Sequence, residues 1–284
     1  MGNKKNNNFE VIISPKRNWF DINLGEYWRY RDLYKIYIHR DLVAAYKQTI
    51  LGPLWYVIQP LFTMLIYMFI FGDLAGLPTD NVPQPLFYFS GIMLWNYFIA
   101  SFNISAATLT SNTPIFSKVY FPRLIIPLAA ITSNLVKLGI QFLMFILLYL
   151  WCIFQGISIA PNWVFLLSPF LVFLLAMHAF SWGLIISSIS YKYQDLLQVI
   201  TMLMQLFMYV TPVVYPLSAT PENFKIYIQL NPLSAIFEFF RYGSLGSGNI
   251  EWWDLGYSIG VLLICFTASI FIFNRVEKTF MDTI

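Results

Sequence analysis

Residues 124–153 read LIIPLAAITSNLVKLGIQFLMFILLYLWCI, an apolar stretch in which Lys137 is the one charged residue. A helix needs about 20 apolar residues to cross the hydrocarbon core of a bilayer, so this stretch predicts a membrane-spanning helix. The stretch is longer than one crossing requires. Because proline interrupts helical hydrogen bonding, Pro122 and Pro127 suggest that its first turns are broken or lie outside the bilayer.

Other parts of the chain are apolar over similar lengths. Of its 284 residues, 58% are hydrophobic and 11% are charged, whereas soluble domains carry about 25% charged residues. Six spans are predicted in all, at 53–73, 85–108, 124–153, 162–189, 197–215 and 255–274. The first apolar run begins only near residue 51, after a polar segment, so no cleavable signal peptide is expected.

The predicted fold is an all-α integral membrane protein with three parts. We expect a disordered cytosolic tail over 1–24, an amphipathic interfacial helix over 25–50 and a six-span domain over 51–280. The connection 216–254 is too long for a turn. It predicts short re-entrant external helices before the last span, with Asn231-Pro232 as the break between them, acting either as an external gate or as an outer-leaflet cap.

Positive charge is distributed unequally between the two sides of the predicted bundle. Nine of the 17 Lys and Arg residues precede residue 50, and the 109–123 and 190–196 connections and the C-terminal tail hold five more. The 74–84 and 154–161 connections hold none. Cytosolic connections of membrane proteins are enriched in Lys and Arg, so both termini and the two basic connections are predicted to be cytosolic.

In the segment before the first span, apolar and charged residues fall on opposite faces of a predicted helix. At 100° per residue, one side collects Tyr30, Leu33, Tyr34, Tyr37 and Ile38, and the other collects Arg29, Arg31, Asp32, Lys35, His39 and Arg40. This pattern is typical of a helix lying at the membrane surface, and such a helix could also dock a cytosolic partner. The candidates for contact with lipid headgroups are Arg29, Lys35, Arg40 and Lys47.

Four sequence elements resemble one family of transporters. Residues 40–60, RDLVAAYKQTILGPLWYVIQP, resemble the entry to the first span of ABC-2 type permeases, in particular those that export O-antigen, capsule and teichoic-acid polymers. Three further similarities follow in order: NTP at 112–114 with SKVYFPR at 117–123, YQDL at 193–196, and TPV at 211–213 with YP at 215–216, NPL at 231–233 and Arg241. Ala45 and Gln194 stand where family members often carry Arg.

The resemblance implies the permease subunit of an ATP-driven exporter that moves lipid-linked polysaccharide across the bacterial inner membrane. In the family, cytosolic segments pack into grooves on two ATPase subunits, which implies coupling roles for residues 110–121 and 190–196. The coupling candidates are Pro114, Lys118, Tyr120, Gln194 and Asp195. Six spans enclose little polar space, so a pore for a polymer requires a second copy of the chain, in agreement with the dimers of the family.

Three motifs for nucleotide binding, metal hydrolysis or thiol chemistry are absent from the sequence. The chain has no G-x-x-x-x-G-K-[ST] phosphate loop, no H-E-x-x-H and no paired Cys-x-x-Cys. We therefore expect no catalytic residues, no metal site, no cofactor and no nucleic-acid partner, with ATP and Mg bound by a separate subunit. The spans carry no carboxylate near the bilayer midplane, which favours a partner ATPase over ion coupling.

Aromatic residues make up 19% of the chain, and several lie in the predicted spans. Aromatic faces with a few amide or hydroxyl groups suit the apolar faces and polar rims of sugar rings. The channel-lining candidates are Trp55, Gln59, Tyr67, Trp95, Met208 and Tyr209. Lys137 could pair with a substrate phosphate, pair within the protein, or extend its ammonium group to the interface.

Two other functions are compatible with parts of this pattern. One is an exporter of a drug or small amphiphile from the same family. The other is a membrane enzyme acting on lipid-linked sugars. Such an enzyme would need acidic residues at a membrane face, and the cytosolic connections after the first span offer only Asp195.

Overall fold

The computed structural model describes residues 24–47, 51–248 and 250–280, and all regular structure within these ranges is helical. The predicted tail over 1–24 lies outside the described residues except for Leu24. The α-helices in these ranges are α1 Leu24–Arg29, α2 Arg31–Tyr46, α3 Trp55–Tyr67, α4 Gln84–Ala106, α5 Thr108–Ser111, α6 Thr113–Phe116, α7 Ile125–Phe154, α8 Ser168–Ser190, α9 Gln194–Phe207, α10 Glu222–Gln229, α11 Pro232–Leu245 and α12 Trp252–Phe280.

Short helical turns of other types extend two of these helices. A 3-10 turn at Gly52–Leu54 leads into α3, and a π-helical segment at Met68–Leu74 follows it. A further 3-10 turn at Trp163–Leu167 leads into α8. Gly52 has a φ of 51°, in the left-handed region that glycine adopts without strain, so it can begin the turn from which α3 starts.

Within the described residues, four helical segments are long and apolar enough to cross a membrane. They are Gly52–Leu74, Ile125–Phe154, Trp163–Ser190 and Trp252–Glu277. They match the predicted first, third, fourth and sixth spans closely. The predicted second span corresponds to α4, which has 23 residues but whose serine, asparagine and aromatic side chains make it less apolar. The six-span count therefore stays a prediction.

Two sequence-based boundaries need correction. The predicted fifth span, 197–215, is shorter as a helix, because α9 ends at Phe207 and a turn leads to Pro212, whose ring disfavours helix at the preceding residue. The first turns of α7 are not broken. Pro127 is the third residue of that helix, where its missing N–H would have no helical partner in any case.

Helix α4 lies at the centre of the bundle and packs between α7 and α8, while α12 packs on the other side of α8. Small residues permit the close approach. A Cβ at Gly183 of α8 would collide with the Cβ of Ser105 and lie 3.0 Å from the carbonyl oxygen of Phe102 on α4. Association of helices in lipid depends on such close van der Waals packing, because lipid is as apolar as the side chains.

Several segments meet at one end of the bundle, which we call the α2 end. The Leu109 backbone N–H donates to Ser187 Oγ at 3.1 Å, joining the α4–α7 connection to the last turn of α8. Arg123 Nε lies 3.7 Å from Glu277 Oε1 near the end of α12. The ring of Tyr37 on α2 lies 6.2 Å from that of Phe121, so the α2 end is formed by α2, residues 107–124, residues 190–194 and the last turns of α12.

Helix α11 lies at the opposite end, buried inside the bundle. The Asn162 N–H donates to the carbonyl oxygen of Gly243 at 2.9 Å, and the ring of Phe239 lies 5.2 Å from that of Trp252. The break between α10 and α11 falls at Asn231, whose side chain caps α11 by accepting from the Leu233 N–H at 3.0 Å. Because it packs against the starts of α4, α8 and α12, α11 is part of the bundle interior.

Candidate functional site

A polar groove of about 340 Å³ lies between α3, α4 and α7. Apolar helix faces normally close such a space, but here six polar side chains line it: Gln59, Asn96, Asn103, Asn134, Lys137 and Gln141. Trp55 and Tyr56 contribute aromatic surface from the first turn of α3. Two of the predicted channel-lining residues, Trp55 and Gln59, are thus brought together in this groove.

Several polar atoms of the groove have no partner among the residues that the structure describes. Tyr56 Oη, Asn103 Oδ1 and Asn134 Oδ1 are buried and form no hydrogen bond among the described residues. Pro60, which also lines the groove, has no N–H for the carbonyl oxygen of Tyr56 one turn earlier. Buried polar groups are nearly always paired, so an array of free ones points to a ligand or to water.

Lys137 is the cation of the groove. Its Nζ lies 5.5 Å from the centre of the Tyr56 ring, and it forms no ion pair with a carboxylate in the described parts of the chain. Asp41, on α2, is paired instead with Arg40 at 2.7 Å. Of the possibilities for Lys137 left open by the sequence, an internal ion pair is therefore not the one adopted within the described residues.

The other channel-lining candidates occupy different surroundings. Tyr67 is half-buried, and its hydroxyl donates to Met208 Sδ at 3.6 Å, so these two residues lie together where α3 meets the end of α9. Tyr209 is exposed. Trp95 is 5% exposed and its ring packs 5.4 Å from that of Phe98, because α4 is the central helix; its side chain belongs to the protein interior rather than to a channel surface.

The coupling candidates all lie on the surface of the α2 end. Pro114, Lys118 and Tyr120 are exposed in the connection between α4 and α7, and Gln194 and Asp195 are exposed at the start of α9. A hydrogen bond from the Leu109 N–H to Ser187 Oγ joins the α4–α7 connection to the end of α8, the helix that precedes residues 190–196.

Arg123 joins this surface to the last helix. Its guanidinium lies 5.3 Å from the centre of the Phe116 ring, and its Nη1 donates to the carbonyl oxygen of Glu277 at 3.2 Å. Burial lowers the pKa of Arg123, whereas the nearby Glu277 carboxylate raises it. The side chain remains a cation, since arginine stays charged at any physiological pH.

The candidates for headgroup contact lie on the outer face of α1 and α2. Arg29, Lys35, Arg40 and Lys47 are exposed, while Tyr37 is buried with its ring 6.2 Å from that of Phe121. Among the described side chains of α2, the charged residues other than Asp41 are exposed and Leu33, Tyr34, Tyr37 and Ile38 are partly or fully buried, whereas Ile36 is 63% exposed. Arg40 is less free than expected, because it pairs with Asp41 and lies 4.4 Å over the ring of Tyr37. Burial also raises the pKa of the Tyr37 hydroxyl.

Most of the residues that line the groove were not predicted from the sequence. Asn96, Asn103, Asn134 and Gln141 were not among the predicted site residues. A signal was present: Asn96 and Asn103 are seven residues apart, and Asn134, Lys137 and Gln141 follow a three-then-four spacing. Both spacings place side chains on one helix face, and polar residues inside an apolar run mark a face that turns toward a polar cavity.

An apolar helical bundle with a polar groove between its helices, and with exposed connections at one end, is the architecture of an integral membrane protein. The sequence profile of the ABC-2 type transporter family matches residues 32–245, and the chain belongs to this family. It is accordingly a membrane-spanning transport subunit, and its ATPase is a separate partner chain.

Individual relatives cover most of the chain. The O-antigen export system permease protein RfbA of Klebsiella pneumoniae is 29% identical over 256 residues, which are 88% of this chain and 94% of that protein. A protein of the same name from Myxococcus xanthus is 26% identical over 216 residues, 74% of this chain and 79% of its own length. The polysialic acid transport protein KpsM of Escherichia coli is 20% identical over 245 residues, 86% of this chain and 93% of its own.

Proposed function

We propose that this chain is the permease subunit of an ATP-driven exporter that moves lipid-linked polysaccharide of the O-antigen type across the bacterial inner membrane. The observation that carries the proposal is the similarity, over 88% of the chain, to a protein named for O-antigen export. The amide and aromatic lining of the groove supports it, because such surfaces suit the hydroxyl rims and apolar faces of sugars.

In this proposal the chain crosses the membrane six times, with α4 as the second span and α9 as the fifth. Both termini are cytosolic, and the α2 end faces the cytosol. The gathering of α2, the basic connections and the end of α12 at one end of the bundle supports this orientation. Two copies form the pore, with Trp55, Gln59, Tyr67 and Tyr209 as channel-lining residues. Met208, which is 8% exposed, packs behind Tyr67 and accepts a hydrogen bond from its hydroxyl.

Export is driven by two copies of the ATPase, which bind ATP and Mg and contact the α2 end at residues 110–121 and 190–196. Closure of the ATPase moves these connections, and the contacts Leu109–Ser187 and Arg123–Glu277 pass the movement to α8 and α12. The phosphate-bearing end of the substrate enters near the basic outer face of α1 and α2, where it is attracted by Arg29, Lys35, Arg40 and Lys47.

A deletion strain tests the proposed function. Without the gene, finished lipid-linked polymer should accumulate inside the cell and be missing from the surface, and the intact gene should restore it. Surface polymer can be measured with an antibody on whole cells, and internal polymer after lysis. Normal surface polymer in the deletion strain would contradict the proposal and favour a small-amphiphile substrate. Absence of polymer both inside and outside would favour an enzyme.

The contact with the ATPase can be tested at Tyr120, which is 65% exposed at the α2 end. Exposed tyrosines at interfaces often carry a large share of the binding energy. Tyr120→Ala should lower export by about tenfold while leaving the amount of folded protein unchanged. The control is Tyr227→Ala, a tyrosine of similar exposure, 66%, on α10 at the opposite end. Equal export by both variants would show that Tyr120 does not contribute to the contact with the ATPase.

A further inference from the structure

The groove between α3, α4 and α7 contains a cation, Lys137, that forms no direct ion pair among the described residues. Lys137 lies inside a membrane-spanning helix, where a charge is costly unless it is paired or reaches water. Its Nζ lies 5.5 Å from the centre of the Tyr56 ring, and Asp41 of α2, the carboxylate that interacts electrostatically with it, is bonded directly to Arg40. A ligand bearing negative charge would complete this arrangement.

The depth of Lys137 limits what that ligand can be. In the proposed orientation α2 lies at the membrane surface, and the hydrogen bond of 2.5 Å between the hydroxyls of Tyr34 of α2 and Thr132 of α7 places Thr132 at the same level. Lys137 follows five residues later, about 8 Å deeper at the rise of an α-helix. An anion held there lies just below the headgroup layer, within reach of the phosphate of a lipid in the leaflet next to α2.

The other unpartnered polar atoms of the groove are suited to bind the chemical groups next to the phosphate of such a ligand. Tyr56 Oη can donate a hydrogen bond, and Asn103 Oδ1 and Asn134 Oδ1 can accept one; all three have no partner among the described residues. An acceptor oxygen does not bind phosphate oxygens, but it does bind hydroxyl groups. The groove therefore combines one cationic position with acceptors for a polyhydroxylated neighbour, as in a phosphate ester of a sugar or of glycerol.

We propose that this groove binds the phosphate-bearing headgroup of a lipid, with Lys137 on the phosphate and Asn103 and Asn134 on the hydroxyl groups beside it. If the proposed function holds, the resident lipid is the lipid-linked polysaccharide at the start of export. Two sources share this chemistry, a polyprenyl phosphate carrying a sugar and an anionic phospholipid, and they are separated by competition.

The test measures binding to the purified complex of the permease with its ATPase in detergent. The probe is a fluorescent short-chain polyprenyl phosphate glucoside, and the dissociation constant is read by fluorescence polarisation. Lys137→Gln should weaken binding by about tenfold, because it removes a charge-assisted contact, and Lys137→Arg should restore most of it. The matched control Lys225→Gln removes an exposed lysine on α10 at the other end and should have no effect. The polyprenol lacking the phosphate should bind wild type as weakly as the probe binds Lys137→Gln.

Competition identifies the source of the headgroup. Displacement of the probe by the unlabelled glucoside but not by phosphatidylglycerol supports the export substrate as the ligand. Equal displacement by phosphatidylglycerol supports the phosphate site with membrane phospholipid as its occupant. An unchanged dissociation constant for Lys137→Gln overturns the proposal. Failure of the proposed function would be recognised separately, by normal surface polymer in the deletion strain, and would leave the binding result standing.

Discussion

Replacement of Arg241 by alanine is expected to destabilise the folded chain by about 3–5 kcal/mol, the cost typical of breaking a buried ion pair from one side. Arg241 is 2% exposed on α11. Its Nη1 donates to the carbonyl oxygen of Pro212 at 2.6 Å, and its Nη2 donates to that of Val213 at 2.5 Å. It also lies 3.6 Å from Glu238, which is 4% exposed. The substitution leaves all three acceptors without their cation.

The measurement is the midpoint of unfolding in mixed detergent micelles, together with the yield of monodisperse protein. Lys225→Ala is the control, because this residue forms a similar i, i+3 ion pair, with Glu222, on the exposed surface of α10. Surface pairs contribute little, so the control should shift the midpoint only slightly. The double variant Arg241→Met with Glu238→Leu should recover part of the loss, since no charge is then left buried. A midpoint for Arg241→Ala equal to that of wild type would show that the buried hydrogen bonds and ion pair of Arg241 do not stabilise the fold.

Substitution of Gly183 by leucine is the second change with a large expected effect. This residue lies where α8 meets α4, the central helix, and even a single Cβ there would collide with Ser105 and crowd the backbone at Phe102 and Ala106. A leucine would force the two helices apart along their contact. Overpacking of this kind costs about 1–3 kcal/mol, and the contact with rigid backbone places the expected loss at the upper end of that range.

Unfolding in mixed micelles again provides the measurement. The matched control is Gly260→Leu on α12, another spanning helix, where a Cβ would meet no atom within 4 Å. The control tests the effect of adding a leucine to a span without a clash. Equal midpoints for the two variants would mean that the close approach of α8 to α4 does not determine stability.

The sequence was sufficient where a local pattern decides the structure. The spans now seen as α7, α8 and α12 follow from apolar length alone, because a lipid environment accepts any helix long and apolar enough. The two faces of α2 follow from helical periodicity, with Tyr37 buried and Lys35 exposed. In both cases one segment contains all the information required.

Features that depend on several segments were not predicted. Trp95 is aromatic and lies in a span, which made it a channel candidate, yet it is buried because α4 packs on both α7 and α8. The groove combines side chains from three helices, so its existence depends on their packing and not on any one spacing. Arg241 was noted as part of a resemblance, but its bonds to Pro212 and Val213 cross a turn whose path the sequence does not specify.

The central claim is that this chain provides the passage for the polymer while a separate ATPase provides the energy. Inverted membrane vesicles test it directly, because the cytosolic face is then outside. Radiolabelled lipid-linked polysaccharide is supplied, and its protection from an added glycosidase is followed after ATP is given. Protection should require ATP, this chain and the ATPase together. ATP hydrolysis by the purified chain alone, or ATP-dependent protection in vesicles that lack the ATPase, would contradict the account.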